Sequence, residues 1–179
     1  MRIPSSIMII SMVALLSACA STPQITTDYD RSANFSNYRT YGFAAIQEDG
    51  YQSLTDKYIK SAITQALEQR GYRQSDTPDL VVHSMALKQD KVQVWNSPEP
   101  AGFYSMRRGG YSGWTGYNQT LWPYTEGSLT IDLVDRDRKQ LVWRGVITNT
   151  LEENQPVGQA QIQQAVEKLF TQYPYRAGE

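Results

Sequence analysis

The sequence has one cysteine, one histidine and no extended basic run among its 179 residues. A single cysteine excludes a disulfide within the chain, so cysteine usage says nothing direct about the redox compartment. Lysine and arginine number 17 against 18 aspartate and glutamate residues, which gives a formal net charge of −1. Nucleic-acid binding depends on a basic surface that this balance does not supply. The composition therefore argues against a nucleic-acid partner.

The sequence also lacks an apolar run long enough to cross a membrane. Its most apolar stretch, Ile7–Leu16, falls short of the ~20 residues that a membrane-spanning helix needs. Charged residues make up 20% of the chain and aromatic residues 11%, which is typical of neither a disordered segment nor a coiled coil. This length and composition predict one folded domain.

The N-terminus combines a cation, an apolar run and small residues in the order of a secretory signal peptide. Arg2 precedes the apolar run, which is followed by two small residues and the single cysteine, as Leu16-Ser17-Ala18-Cys19. These four residues resemble the bacterial lipobox, in which a cysteine follows a branched apolar residue and two small ones. The resemblance implies that residues 1–18 are a lipoprotein signal peptide, and that the Cys19 sulfur carries lipid with acyl chains such as palmitate.

Lipid on Cys19 would anchor the chain at a membrane without a protein helix. Lipidation contributes about 0.8 kcal/mol per buried methylene, and one chain anchors only reversibly, so two or three chains make release very slow. Residue 20 is alanine rather than the aspartate that tends to retain enterobacterial lipoproteins in the inner membrane. The resemblance thus implies the outer membrane, with the protein facing the periplasm and residues 19–24 as a lipidated tether.

Two segments have the spacing of amphipathic helices. Ser53 and Asp56 match a capping box, Gly71 stands where a helix would end, and apolar residues recur between them every three or four positions. A second helix is predicted from about Gln159 and stops before Pro174. Each helix has one apolar face, which predicts packing against a sheet or another helix.

Strand patterns occupy the rest of the chain. We expect strands over 25–30 and 40–45, a central strand over 80–87 with both faces partly covered, and a β-hairpin of 127–135 with 141–147. The order β-β-α-β-β-β-α predicts a single α+β domain over residues 25–174. Its sheet should be largely antiparallel, with both helices on one face.

Residues 95–124 are rich in glycine, proline and aromatic residues without periodicity, which predicts a long loop. Tyrosine and tryptophan suit stacking on sugar rings, contact with a partner protein or a position among lipid headgroups. The alternative is that these aromatics fold back over the open face of the sheet. The candidate contact residues for a ligand or partner are Tyr104, Arg107, Arg108, Tyr111, Trp114, Tyr117 and Trp122.

The sequence as a whole resembles a bacterial envelope lipoprotein family, domain of unknown function 4136. The resemblance extends from about residue 25 to the final helix. Its features are the lipobox, the stretch Phe35–Phe43, the helix end Arg70-Gly71-Tyr72, the aromatic middle and the hairpin of 129–135 with 141–145. It implies an envelope lipoprotein domain with no assigned reaction and no catalytic residues to transfer.

Residues able to carry catalysis or bind a metal are few. His83 lies in an apolar strand, where we expect a structural role. A Ser-His-Asp or Cys-His arrangement would have to use this histidine, and Cys19 would be acylated and tethered far from any cleft. A zinc site would need unusually many carboxylates. Arg136, Arg138 and Lys139 neutralise the aspartates around them, which predicts a solvated turn and not a calcium loop.

Two further patterns in the sequence could suggest chemistry. Asp132 and Glu126 could serve as a general acid and base, but nothing in the sequence marks a cleft around them. Gly110, Gly113 and Gly116 are spaced like a phosphate-binding loop, yet the lysine and hydroxyl residue of a nucleotide site do not follow. We therefore expect no catalytic residue, no cofactor and no metal.

The sequence analysis predicts a lipid-anchored protein with a non-catalytic binding or assembly domain. Its expected partners are the membrane, through lipid on Cys19, and an envelope protein or peptidoglycan glycan. The alternative is a structural accessory subunit of an envelope complex. An envelope hydrolase is the least supported class, because no nucleophile can be paired with a base.

Overall fold

A computed structural model of the chain describes residues 22–44, 52–98, 117–151 and 156–179. These residues form one six-stranded sheet with two helices packed on one of its faces. The strands are β1 Gln24–Tyr29, β2 Thr40–Phe43, β3 Arg73–Gln74, β4 Leu80–Pro98, β5 Tyr117–Asp135 and β6 Gln140–Leu151, and the helices are α1 Leu54–Glu68 and α2 Gln159–Phe170. The predicted α+β class is confirmed.

The strands lie in the order β1-β6-β5-β4-β2-β3. Neighbouring strands in the series β1-β6-β5-β4 pair antiparallel. Strand β2, in contrast, is parallel to both of its neighbours, β3 and β4. Parallel neighbours need a crossover, and α1 supplies it between β2 and the strands that follow. The sheet is therefore mixed, with its antiparallel part formed by the long strands β4, β5 and β6 and by β1.

Helix α1 begins and ends as its sequence predicts. The Ser53 Oγ accepts a hydrogen bond from the Asp56 backbone at 3.1 Å, and the Ser53 backbone donates to the Asp56 carboxylate at 3.3 Å. Gly71, three residues past the helix, has φ +86°, a conformation that glycine adopts without strain. The apolar face of α1 is buried through Ile59, Ala62, Ile63, Ala66 and Leu67.

The core lies between the two helices and one face of the sheet. The sheet contributes alternate residues such as Ile131 and Leu133, both fully buried, and α2 contributes Val166, Leu169 and Phe170. Trp143 of β6 is only 1% exposed, and its ring packs against Phe170 with centroids 5.5 Å apart. Burial of this many large side chains supplies the main favourable free energy of the fold.

The domain continues past the predicted boundary at residue 174. Tyr173 is buried, and the Tyr175 ring stacks on Phe35 with centroids 3.6 Å apart. The backbone of Ala177 then donates to the Arg70 carbonyl at 3.0 Å, and that of Gly178 to the Tyr38 carbonyl at 3.1 Å. Pro174 ends the helical pattern in the sequence, but the chain after it remains packed on the core.

Two predictions about β4 are wrong. Leu80 and Val82 are buried, but residues 83–90 are exposed, because the helices cover only the first residues of β4 and none of the described residues forms a layer over the opposite face. The predicted loop over 95–124 is also too long, since β4 continues to Pro98 and β5 begins at Tyr117. Strand β3 and the short 3-10 helix Phe35–Asn37 were not predicted, because elements of two or three residues carry almost no periodic signal.

Candidate interaction surface

Most residues predicted to contact a ligand fall outside the described ranges. Tyr104, Arg107, Arg108, Tyr111 and Trp114 lie there, as does the lipidation candidate Cys19. Of the remaining two, Tyr117 is the first residue of β5, and Trp122 lies further along the same strand with 63% of its surface exposed. The structure therefore places Trp122 on a strand that projects from the sheet and not in a loop.

Strands β4 and β5 extend well beyond the rest of the sheet. Strand β6 ends at Leu151, which pairs with Thr125. Beyond this point Lys91–Pro98 and Tyr117–Tyr124 pair only with each other among the described residues, in continuous antiparallel register. We call this two-stranded ribbon the arm. At about 3.4 Å per residue it is roughly 25 Å long.

Apolar side chains cover both faces of the arm. Directly opposite residues share a face, so Val92, Val94 and Leu121 lie on one side and Trp95 and Trp122 on the other. Each of these five side chains is at least half exposed. A two-stranded ribbon is marginally stable alone, and exposed apolar side chains grouped on one element favour an interaction site. Among the described residues, the arm is therefore the strongest candidate for a functional surface.

The aliphatic residues of this surface, Val92, Val94 and Leu121, were not predicted as contact residues from the sequence. The signal was present in Val92-Gln93-Val94-Trp95, which alternates apolar and polar residues as a half-exposed strand does. It was obscured by the nearby glycines and prolines. Pro123 does not interrupt β5 in the structure because it lies where β5 has no described neighbour on its β6 side, and proline is tolerated on a strand edge.

The face of the sheet opposite the helices carries a charged row. The Arg144 guanidinium donates two hydrogen bonds to the Asp132 carboxylate, at 2.7 and 2.6 Å. This contact raises the pKa of Arg144 above its ordinary value. His83 pairs in register with Asp132 and is exposed on the same face. The predicted strand position of His83 is right, but the residue is not enclosed by the core.

The acid and base pair considered in the sequence is not assembled. Glu126 contacts Lys91, whereas Asp132 contacts Arg144. The two carboxylates lie six residues apart on β5, which corresponds to roughly 20 Å along a strand. They cannot act together on one substrate bond.

Asp135 belongs to a buried polar cluster under the β5–β6 turn. The residue is 8% exposed, and its carboxylate accepts hydrogen bonds from the Tyr38 hydroxyl, the Arg138 guanidinium and the Arg138 backbone, each at 2.8 Å. Burial disfavours the charged form of Asp135, but these hydrogen bonds outweigh it and lower the pKa of the carboxyl. Burial also raises the pKa of the Tyr38 phenol, and its hydrogen bond to the carboxylate adds to the shift.

A groove of about 450 Å³ lies beside this cluster. The Asp79 carboxylate at its wall accepts from the Arg39 and Thr40 backbones at 2.9 Å and from the Thr40 hydroxyl at 2.8 Å. Burial opposes ionisation of Asp79, yet these bonds prevail and lower its pKa. The two carboxylates are thus engaged in holding loops together. Within the described ranges, no three histidine, cysteine or acidic residues are grouped as a metal site would require.

The aspartates near the β5–β6 turn diverge, and the prediction of a solvated turn is wrong for Asp135, which is buried. Asp132 faces the open side of the sheet, Asp135 points into the polar cluster, and Asp137 pairs with Arg136 at 2.9 Å.

Among the helices that the structure describes, none has the length and apolarity needed to span a membrane.

The family model for a domain of unknown function, DUF4136, matches residues 25–175. The chain belongs to the DUF4136 family. The resemblance found in the sequence is confirmed, and the match reaches the Tyr175 ring that packs on Phe35. No curated protein matches this DUF4136 chain.

Two solved structures share the fold of this DUF4136 domain. A DUF4136 family protein from Bacteroides thetaiotaomicron is 17% identical, with a TM-score of 0.53, and the match covers 88% of this chain and 98% of that one. A PDZ domain protein from Parabacteroides distasonis is 13% identical, with a TM-score of 0.52, and 87% of this chain matches 37% of that one. This chain therefore spans little more than a third of the second protein's length. At these identities the likeness shows the fold alone.

Proposed function

We propose that this DUF4136 protein is a lipoprotein held in the outer membrane by lipid on Cys19, and that its α+β domain is a non-catalytic binding or assembly module facing the periplasm. The observation that carries the proposal is the N-terminal order of cation, apolar run, small residues and cysteine. The first strand begins at Gln24, five residues after Cys19. This spacing leaves a short tether between the lipid and the folded domain.

The chemistry of the described residues supports binding over catalysis. Asp79, Asp132 and Asp135 each hold two parts of the fold together through hydrogen bonds or ion pairs. A catalytic acid or base needs a position within hydrogen-bond reach of a substrate, in a cleft. Among the described residues, the surface that stands out is instead apolar and exposed, and it lies on the arm.

A second candidate function is that of an accessory subunit in an envelope complex. Strand β4 pairs with β2 only as far as Val82, so from His83 onward its outer edge has no strand beside it among the described residues. An open edge offers backbone donors and acceptors that can pair with a strand of another protein. A photocrosslinking residue at Ser84, compared with one at Gln140 near the β5–β6 turn, would test this role in intact cells. A defined adduct specific to Ser84 would support it, and its absence would contradict it.

The anchor is tested by replacing Cys19. In Cys19→Ser we expect a full-length precursor without acyl chains, whereas the matched variant Ala20→Ser should be processed and acylated like the parent. Intact-mass spectrometry reads both outcomes. Mature-sized protein from Cys19→Ser would show that cleavage does not depend on the cysteine. Ala20→Asp, expressed in an enterobacterial host, should move the protein from the outer to the inner membrane fraction, and unchanged fractionation would contradict outer-membrane sorting.

A further inference from the structure

The tether and the arm leave the domain at the same end. Gln24, the first residue of β1, lies in a row across the sheet with Thr148, Ser128 and Leu87. From this row β1 runs away from the arm, whereas β4 runs toward it. The residues that precede β1 therefore start from the end of the sheet at which the arm projects.

The tether is shorter than the projection of the arm. Gln24 follows Cys19 by five positions, and five fully extended residue steps span at most about 18 Å. Leu87 of β4 is level with Gln24 in the row across the sheet. A strand rises about 3.4 Å per residue, so a distance of about 18 Å along β4 from Leu87 reaches Val92. Strand β4 continues six residues further, to Pro98. About 20 Å of the arm therefore lies further out than the Cys19 backbone can reach.

The composition of the arm changes near Val92, the position that the extended tether reaches. Lys91, which pairs with Glu126, is the last charged residue before the outer part. Beyond it, residues 92–98 and 117–124 contain no charged side chain. The outer part presents Val94, Trp95, Leu121 and Trp122 as exposed side chains. Tryptophan is enriched where protein meets the headgroup region of a bilayer.

Backbone polarity limits how deep the arm can go. A two-stranded ribbon has two open edges, and unpaired backbone groups do not occur facing lipid within the hydrocarbon region. The headgroup level can hydrogen-bond these edges and also accept the apolar side chains.

We propose that the outer part of the arm is a second membrane contact, which lies along the surface of the leaflet that holds the lipid of Cys19, at headgroup level and not along the membrane normal. The occupant of this surface is a phospholipid bilayer. The inference rests on the proposed lipidation of Cys19, because the short tether is what brings the bilayer to the arm. Lipid and arm together would fix the orientation of the domain, which a single tether would leave free to rotate.

The test uses single cysteines in the full-length, lipidated protein. Val94→Cys and Gln93→Cys place one thiol on each face of the arm, and Thr77→Cys places a control thiol just before β4, at the opposite end of the sheet. Each purified variant is labelled with a nitrobenzoxadiazole fluorophore and reconstituted in vesicles of phosphatidylethanolamine and phosphatidylglycerol. Some of the lipids carry a nitroxide quencher at headgroup level. The parent chain has no other cysteine, so its Cys19 labels only if lipidation has failed.

The proposal expects loss of most of the fluorescence from at least one arm position and little loss at position 77. Arm probes that remain unquenched on lipidated, vesicle-bound protein would overturn the membrane contact alone. Blue-shifted but unquenched arm probes would show burial against a second copy or another protein, and would also overturn it. Equal quenching at all three positions would show that the whole domain lies flat on the bilayer, and would overturn the arm as the specific contact. Labelling of Cys19 in the parent would overturn the anchor, and with it the placement of the arm.

Discussion

Gly145 of β6 provides a sharp test of how the core is packed. A methyl group added at this position would lie 2.9 Å from both the Trp143 Cζ2 and the Leu169 Cδ1 atoms. Trp143 is 1% exposed and Leu169 fully buried, so neither side chain can move into solvent. The indole would have to shift against α2. Overpacking of this kind costs about 1–3 kcal/mol. Alanine loses less conformational freedom than glycine when the chain folds, which offsets about 0.5–1 kcal/mol of this cost.

We therefore expect Gly145→Ala to lower the free energy of unfolding by up to about 2.5 kcal/mol, and for a domain of this size each kcal/mol lowers Tm by about 2–4 °C. The matched control is Gly127→Ala on β5, whose added methyl would have its three nearest atoms in the Leu151 side chain, at 2.8–3.1 Å. Leu151 is partly exposed at the end of β6 and can rotate away. Urea unfolding followed by circular dichroism measures both variants. Equal stability of the two would refute the claim that the indole is held in place.

Two further predictions concern the helix face and the polar cluster. Leu67→Ala removes a fully buried side chain of α1 and should cost about 2–5 kcal/mol by urea unfolding, whereas a cost near zero would mean that this face is not packed. Asp135→Asn should cost about 1–3 kcal/mol near pH 7, because the charged hydrogen bonds to Tyr38 and Arg138 are weakened. Since the pKa of Asp135 is lowered by folding, its contribution is complete above the unfolded pKa of about 4 and is lost as the pH falls through the folded value. The difference between parent and Asp135→Asn should therefore shrink in acid unfolding curves below about pH 4, and a difference independent of pH would contradict this assignment.

The parts of the fold that local sequence determines were predictable. Ser53 and Asp56 define the start of α1 through a contact only three residues apart, and Gly71 stands just past its end in the positive-φ conformation. The β5–β6 hairpin also follows from local alternation around the turn at 136–139. In each case the interaction that decides the structure lies within a few residues of the pattern.

The candidate surface and the polar clusters depend on distant residues. The hydrogen bond between Tyr38 and Asp135 spans 97 residues of sequence, and no local pattern pairs them. Strand β3 exists because Arg73 and Gln74 meet β2 across the α1 crossover. The arm was partly hidden because glycines and prolines lie close to its alternating residues, and because apolar side chains are exposed on both of its faces. Exposure on both faces removes the contrast on which strand prediction depends.

The packing of residues 173–178 against Phe35, Tyr38 and Arg70 has a consequence for the timing of folding. The aromatic cluster at this end of the core cannot close until these late residues have been synthesised.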